Sequence, residues 1–126
     1  MTDPRRPIPI YTTAGDYEAF LAYPIVYNLS GEAIGFVTPE REVYSVHGEY
    51  VGWLTNDPRI LRKRTYDYAK PKQAFPSGFP RKLVAPPSAP LPPMMAELSF
   101  DTIDVLDEYP ELLPTADAGE FRDDMD

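Results

Sequence analysis

The sequence predicts an all-β fold of three to four β-hairpin repeats, followed by an extended proline-rich arm and a short C-terminal amphipathic helix. Three observations carry that prediction. Residues 11–21 (YTTAGDYEAFL), 27–37 (YNLSGEAIGFV) and 44–54 (YSVHGEYVGWL) share the pattern Y-x-x-x-G-[DE]-x-x-[AG]-[FW]-[LV], with starts offset by 16 and then 17 residues. Self-similarity at a fixed period is the mark of a repeat architecture. Eight of the 16 prolines fall between Pro71 and Pro93, a density at which no sheet ladder or helix continues. Charge is also segregated: residues 1–58 carry a net −5, residues 59–82 a net +7, and residues 94–126 a net −10 within a chain of −8.

Residues 1–7 read as an N-terminal extension and 8–68 as the repeat domain, with units near 11–21, 27–37 and 44–54 and a partial fourth at 59–66. Each unit reads as a hairpin. Ile25, Tyr27 and Leu29 alternate with Val26 and Asn28, as on a pleated strand. Gly15, Gly31 and Gly48, each followed by an acid, suit a type I turn closed by a G1 bulge. In the second strands, Ile34 and Phe36 are expected on one face, with Val51 and Trp53 as their counterparts. The small residue before the aromatic (Ala19, Gly35, Gly52) signals a bulge, a bend or close backbone approach. Phe20, Phe36 and Trp53 are expected in the shared core.

The fourth unit begins at Ile60-Leu61-Arg62-Lys63-Arg64 and lacks a G-[DE] turn. Two ways of completing it are open: a strand running on through Tyr66 and Tyr68, or pairing with residues 8–10 from the other end. Either would cover an edge that otherwise invites aggregation. A domain of this size buries only about 60% of its unfolded surface. The chain has no cysteine, so no disulfide supports it and no Cys-based zinc site exists.

Residues 69–93 read as a spacer in extended PPII conformation, although PPSAPLPP at 86–93 contains a PxxP ligand motif. Residues 94–113 read as a docking segment. Phe100, Ile103 and Leu106 fall at i, i+3 and i+6 beside Asp101, Asp104 and Asp107, fitting a short amphipathic helix capped by Ser99 and ended before Pro110. About ten residues do not hold a helix in water unaided, so the segment needs a surface: its own β-domain, a sister subunit or another protein. Residues 114–126 read as an acidic disordered tail, and a net-positive block at 59–82 is expected to attract the acidic end.

No catalytic constellation assembles, and no catalytic, metal or cofactor residue is assigned. His47, the single histidine, sits where the other repeats have Ala14 and Ser30 and reads as a solvated turn residue. Asp16, Glu32 and Glu49 would form a carboxylate rim if the turns converge, a hard-cation arrangement that is also ordinary hairpin chemistry. Arg59, Arg62, Lys63 and Arg64 form a basic patch interleaved downstream with Tyr66, Tyr68, Phe75 and Phe79, as in single-strand binders; the pI near 4.6 argues against constitutive nucleic-acid binding. The N-terminus lacks a signal h-region and no 18-residue apolar run occurs, so no membrane association is expected and the cytoplasm is the default location.

The hairpin unit, with its G-E turn, G-[FW] step and closing R-I-L-R-K-R strand, resembles the small bacterial 4-fold β-flower proteins over about residues 8–66. The resemblance implies hairpin petals around a pseudo-fourfold axis and transfers no activity and no catalytic residues. The expectation is therefore a non-catalytic protein-interaction or assembly subunit. Its rigid β head would carry an arm that docks on a protein partner through Phe100, Ile103, Leu106 and Tyr109. The alternatives are a small-ligand or cation-binding β module and, third, single-stranded nucleic-acid binding through residues 59–82.

Overall fold

A computed structural model describes residues 7–64 and 70–115. Eight strands form one antiparallel sheet in chain order: β1 Ile8–Tyr11, β2 Tyr17–Ala22, β3 Ile25–Asn28, β4 Ala33–Val37, β5 Glu42–Ser45, β6 Tyr50–Leu54, β7 Ile60–Lys63 and β8 Thr102–Asp104. The three repeats are the hairpins β1–β2, β3–β4 and β5–β6. Their turn glycines have φ of 95°, 83° and 86° at Gly15, Gly31 and Gly48, a region that residues bearing a Cβ enter at a cost. Thr12 Oγ1, Asn28 Oδ1 and Ser45 Oγ accept the backbone N–H four residues on. The residue after the repeat tyrosine is thus part of the turn motif, a signal that the glycine pattern alone overlooks.

Each of the three repeat hairpins carries a bulge. Val26 faces Gly35 while Tyr27 faces Ala33, and Val43 faces Gly52 while Tyr44 faces Tyr50, so Ile34 and Val51 are the extra residues. The bulge corrects the expected alternation. Ile34 joins an apolar cluster with Ile10, Val26, Val43, Val51, Ile60 and Val105, contributed by all four hairpins. Phe36 joins a second cluster with Phe20, Tyr27 and Tyr44. An inserted residue reverses which face the next side chain takes. The small residues beside the bulges also allow close approach: a Cβ at Gly52 would collide with the Leu61 carbonyl, and one at Gly35 with that of Tyr44.

The fourth hairpin is completed by a segment that neither expected closure named, and the expected continuation through Tyr66 and Tyr68 lies outside the described residues. Residues 8–10 pair with β2, residues 65–69 lie outside the described segments, and β7 is completed by β8, with Leu61 facing Asp104 and Lys63 facing Thr102. The expected helix is correspondingly displaced. Residues 102–104 are strand, and only a single helical turn α1 (Val105–Glu108) and a 3-10 turn (Pro110–Leu112) follow. Ser99 caps no helix; its hydroxyl donates to Asp101 Oδ1 at 2.6 Å. An unpaired edge on β7 offers backbone hydrogen bonds that a ten-residue helix in water lacks, so tertiary pairing overrides the local periodicity.

The sheet curls until the first hairpin meets the fourth. The Tyr11 N–H donates to the Pro58 carbonyl at 3.0 Å. Both the N–H and the hydroxyl of Thr13 donate to Asp104 Oδ2, at 2.6 and 2.7 Å. Arg59, immediately before β7, completes the clasp, with Nη1 donating to Thr13 Oγ1 at 3.1 Å.

Candidate functional site

Residues 70–101 form a belt on the outside of the hairpins, which they pass in reverse order. At the third hairpin the Gln73 N–H donates to the Gly48 carbonyl and its side-chain amide to the Tyr44 hydroxyl. At the second, the Leu83 N–H donates to the Gly31 carbonyl, the Ala33 N–H donates back to the Arg81 carbonyl, and the Tyr27 hydroxyl donates to the Pro80 carbonyl at 2.6 Å. At the first, the hydroxyls of Tyr17 and Tyr11 donate to the carbonyls of Pro86 and Pro90, at 3.1 and 2.6 Å. At the fourth, Arg59 Nη2 donates to the Ala96 carbonyl at 3.1 Å, and the chain then enters β8.

This geometry gives the repeat pattern a second meaning. Its first tyrosine is the belt's anchor in all three copies. Its turn glycine is where the belt crosses closest, since a Cβ on Gly31 or Gly48 would strike the carbonyl of Leu83 or Gln73. Proline suits the belt because the tyrosines read carbonyls, and a chain without N–H groups leaves fewer donors to satisfy. Burial pushes the hydroxyls of Tyr11, Tyr17, Tyr27 and Tyr44 above the ordinary tyrosine value, which keeps them protonated as donors.

The belt also plugs the outer face of the sheet. Phe20 stacks on Tyr27 with centroids 5.2 Å apart, and Phe36 on Tyr44 at 5.4 Å. Leu83, Ala85 and Phe75 pack over this cluster. Phe75 meets Phe36 edge-on at 5.8 Å under the Arg81 guanidinium, 4.0 Å from its ring centroid. Residues 70–93 are therefore a structural layer of the head, not a spacer leading away from it. The belt's outward side is different: Val84, Leu91, Met94 and Phe100 are 94%, 93%, 98% and 92% exposed.

The four residues expected to anchor a partner are divided by the fold. Ile103 is buried on β8, and Leu106 packs half-buried against the chain's own apolar cluster, which withdraws both from an external face. Phe100 and Tyr109 remain exposed. The docking segment has docked on its own β-domain.

The basic patch is divided as well. Arg59 is 2% exposed, paired with Asp57 at 2.7 Å, and cannot meet a phosphate. Burial alone would raise the Asp57 carboxyl, but hydrogen bonds from Arg59 and Thr55 together with the guanidinium charge hold it below the usual carboxylate range. Arg62 is half-buried, and Lys63 and Arg64 are exposed. Those two face the acidic segment, Lys63 to Asp101 at 3.2 Å and Arg64 to Glu108 at 4.0 Å. The expected attraction between basic block and acidic end thus appears within 63–108. Residues 116–126 of the tail, and Tyr66 and Tyr68, lie outside the described segments.

Asp16 and Glu49 are exposed and Glu32 half-buried, and among the described residues no group of three or more His, Asp or Glu side chains is placed to hold a metal ion. No helix among them is long and apolar enough to cross a membrane. His47 is exposed at its turn and lines a cleft of ≈ 300 Å³ with Glu49, Arg62, Lys72 and Glu111. A second cleft, of ≈ 380 Å³, opens beside Trp53, Asp57 and Arg59.

A family model described as 4-fold beta flower protein matches residues 8–110. The match runs through the belt and β8, so the shared unit extends well past residue 66, where the repeat pattern stops. No curated protein and no solved structure matches the chain.

Proposed function

The chain belongs to the 4-fold beta flower family, and on that premise we propose that it is a non-catalytic protein-interaction subunit whose contact face is the outer side of the belt. One observation carries the reading: Val84, Leu91, Met94 and Phe100 stand more than nine-tenths exposed on a segment whose backbone is tied to the head at every hairpin. Isolated exposed apolar residues need no explanation, but here four recur within 17 residues of one anchored segment, which supports an interaction surface. Because the strip is held in place, less ordering entropy is lost on binding. Action in the cytoplasm is part of the proposal, and cell fractionation checks it.

The test is a chain carrying Val84→Ser, Leu91→Ser, Met94→Ser and Phe100→Ser, compared with the wild type by in-cell crosslinking and affinity purification. These side chains bury little, so each change shifts stability by only about 0.5 kcal/mol or less. The expected outcome is an unchanged melting temperature and loss of the proteins crosslinked to the wild type. Equal recovery of the same proteins overturns the reading. A second reading, binding of a small polar molecule, has the ≈ 300 Å³ cleft beside His47 in its favour. A melting temperature raised by a metabolite, with no effect of the four serines on crosslinking, would select it.

A further inference from the structure

On the outer face, each second-strand aromatic stands beside the residue that opens the next hairpin. Phe20 meets Tyr27 and Phe36 meets Tyr44, and belt side chains cover both pairs. Trp53 holds the equivalent place in the third repeat, but its partner across β6 and β7 is Leu61, and this pair belongs to neither apolar cluster. A cleft of ≈ 380 Å³ opens there, lined by Trp53, Leu61, Asp57, Arg59, Ser99 and Thr102. The indole is half-buried, and among the described residues its N–H donates to no acceptor. Elsewhere on this face, three of the four outward tyrosine hydroxyls that meet the belt hold proline carbonyls.

We propose that the Trp53 cleft binds an extended proline-rich segment of another protein. A pyrrolidine ring seats on the indole, and a backbone carbonyl of the segment accepts from Trp53 Nε1. Aromatic grooves with a carbonyl-directed donor select PPII chains in this way, because the ligand is already extended and loses little entropy. The head itself supplies the chemical precedent: it binds one proline-rich chain, its own belt, through aromatic side chains and carbonyl-directed donors. The cleft floor is fixed in advance by Arg59, 2% exposed and held between the Asp57 carboxylate at 2.7 Å and the Ala96 carbonyl at 3.1 Å. Binding here leaves the belt in place. The inference rests on the reading of the chain as an interaction module but uses a different surface from its outward apolar strip.

Trp53 is the single tryptophan of the chain, so its fluorescence reports on the cleft directly. The test titrates the full chain with a synthetic decaproline peptide and, separately, with a peptide of the chain's own residues 86–93. A saturable change in emission below about 1 mM peptide is expected, and none with the same peptides carrying alanine for proline. By calorimetry, Trp53→Phe keeps an aromatic, though smaller, ring without the donor and weakens binding about tenfold; Trp53→Ala abolishes it. The four-serine variant binds peptide as the wild type does, which separates failure of this proposal from failure of the belt-face reading. A flat emission titration, an equal response to the alanine peptides, or undiminished binding by Trp53→Phe overturns the proposal. So does an emission shift that tracks protein concentration alone, which would make a second copy of the chain the occupant.

Discussion

The first three hairpins and the fourth are built from the same geometry by opposite means. In the first three, the two strands lie within 15, 13 and 13 residues (8–22, 25–37 and 42–54), and the turn between them carries all the information: a polar residue whose side chain accepts the N–H four residues on, a glycine in the left-handed region, and an acid after it. In the fourth, β7 and β8 are separated by the whole belt, and no turn connects them. Local hairpins form quickly, because short loops close at small entropic cost, whereas pairing β7 with β8 requires a long closure before any contact rewards it. The belt recovers part of that cost, since each tyrosine and glycine it meets holds the chain on the way to β8. The proline-rich segment is thus part of how the domain closes, held against the hairpins on its way to β8.

Ending the chain after Pro93 keeps the proline-rich part of the belt and removes β8, and so tests the fourth hairpin's share of the comparison with the largest expected effect. It removes Ile103, Val105 and Leu113 from the core and bares the edge of β7. Each such deletion of a buried aliphatic side chain costs about 2–5 kcal/mol, against a total stability of about 5–15 kcal/mol for a small domain. The expected outcome is loss of the cooperative thermal transition, followed by circular dichroism, together with concentration-dependent aggregation. A truncated chain that melts like the wild type would show that the three local hairpins suffice and that the fourth is an accessory.

The same contrast explains what could be read from the amino-acid order. The three hairpins, their glycine turns and the fourth's first strand were legible, because φ > 0 and period-2 alternation are local demands on individual residues such as Gly31 and Tyr27. The bulges at Ile34 and Val51 were half legible: the small residues beside them signalled an irregularity without its register. Residues 102–104 are not legible as strand, since Phe100, Ile103 and Leu106 carry a helical spacing and only the bare edge of β7 makes Ile103 a strand residue. The belt is illegible for a related reason. Proline excludes ladders and helices, but says nothing of whether the excluded chain leaves the domain or wraps it. The Trp53 cleft was visible only as a departure from the repeat, a larger ring where the other copies have phenylalanine.

A comparison of two glycines sharpens the belt's role at intermediate size. Gly31 and Gly78 have nearly the same backbone, φ of 83° and 86°. A Cβ at Gly31 would strike the Leu83 carbonyl, whereas at Gly78 nothing lies within 4 Å. Gly78→Ala therefore carries only the conformational strain, about 1 kcal/mol. Gly31→Ala carries the same strain and must also push the belt off the second hairpin, breaking the Leu83 N–H to Gly31 carbonyl bond. Its expected cost is about 2–4 kcal/mol, read from urea midpoints at constant m-value. Equal costs at the two sites would mean that the belt yields freely and does not support the head.

The smallest expected effect isolates one anchor. Tyr27→Phe removes the hydroxyl that donates to the Pro80 carbonyl at 2.6 Å and leaves the stacked ring in place, for a loss of about 1 kcal/mol at neutral pH. Burial raises the folded pKa of Tyr27, as of Tyr11, Tyr17 and Tyr44, above 10.0. The folded chain then holds its phenolic protons after the unfolded chain has begun to lose them. This contribution to stability is complete below about pH 10 and is lost as pH rises through the folded values. Wild-type stability should accordingly decline above about pH 10. Tyr27→Phe, with one fewer such group, should decline less steeply, so that the two melting curves converge under alkaline conditions. Parallel declines would mean that Tyr27 is as readily ionised in the folded chain as in the unfolded one, and that the belt does not shield the anchor it lies on.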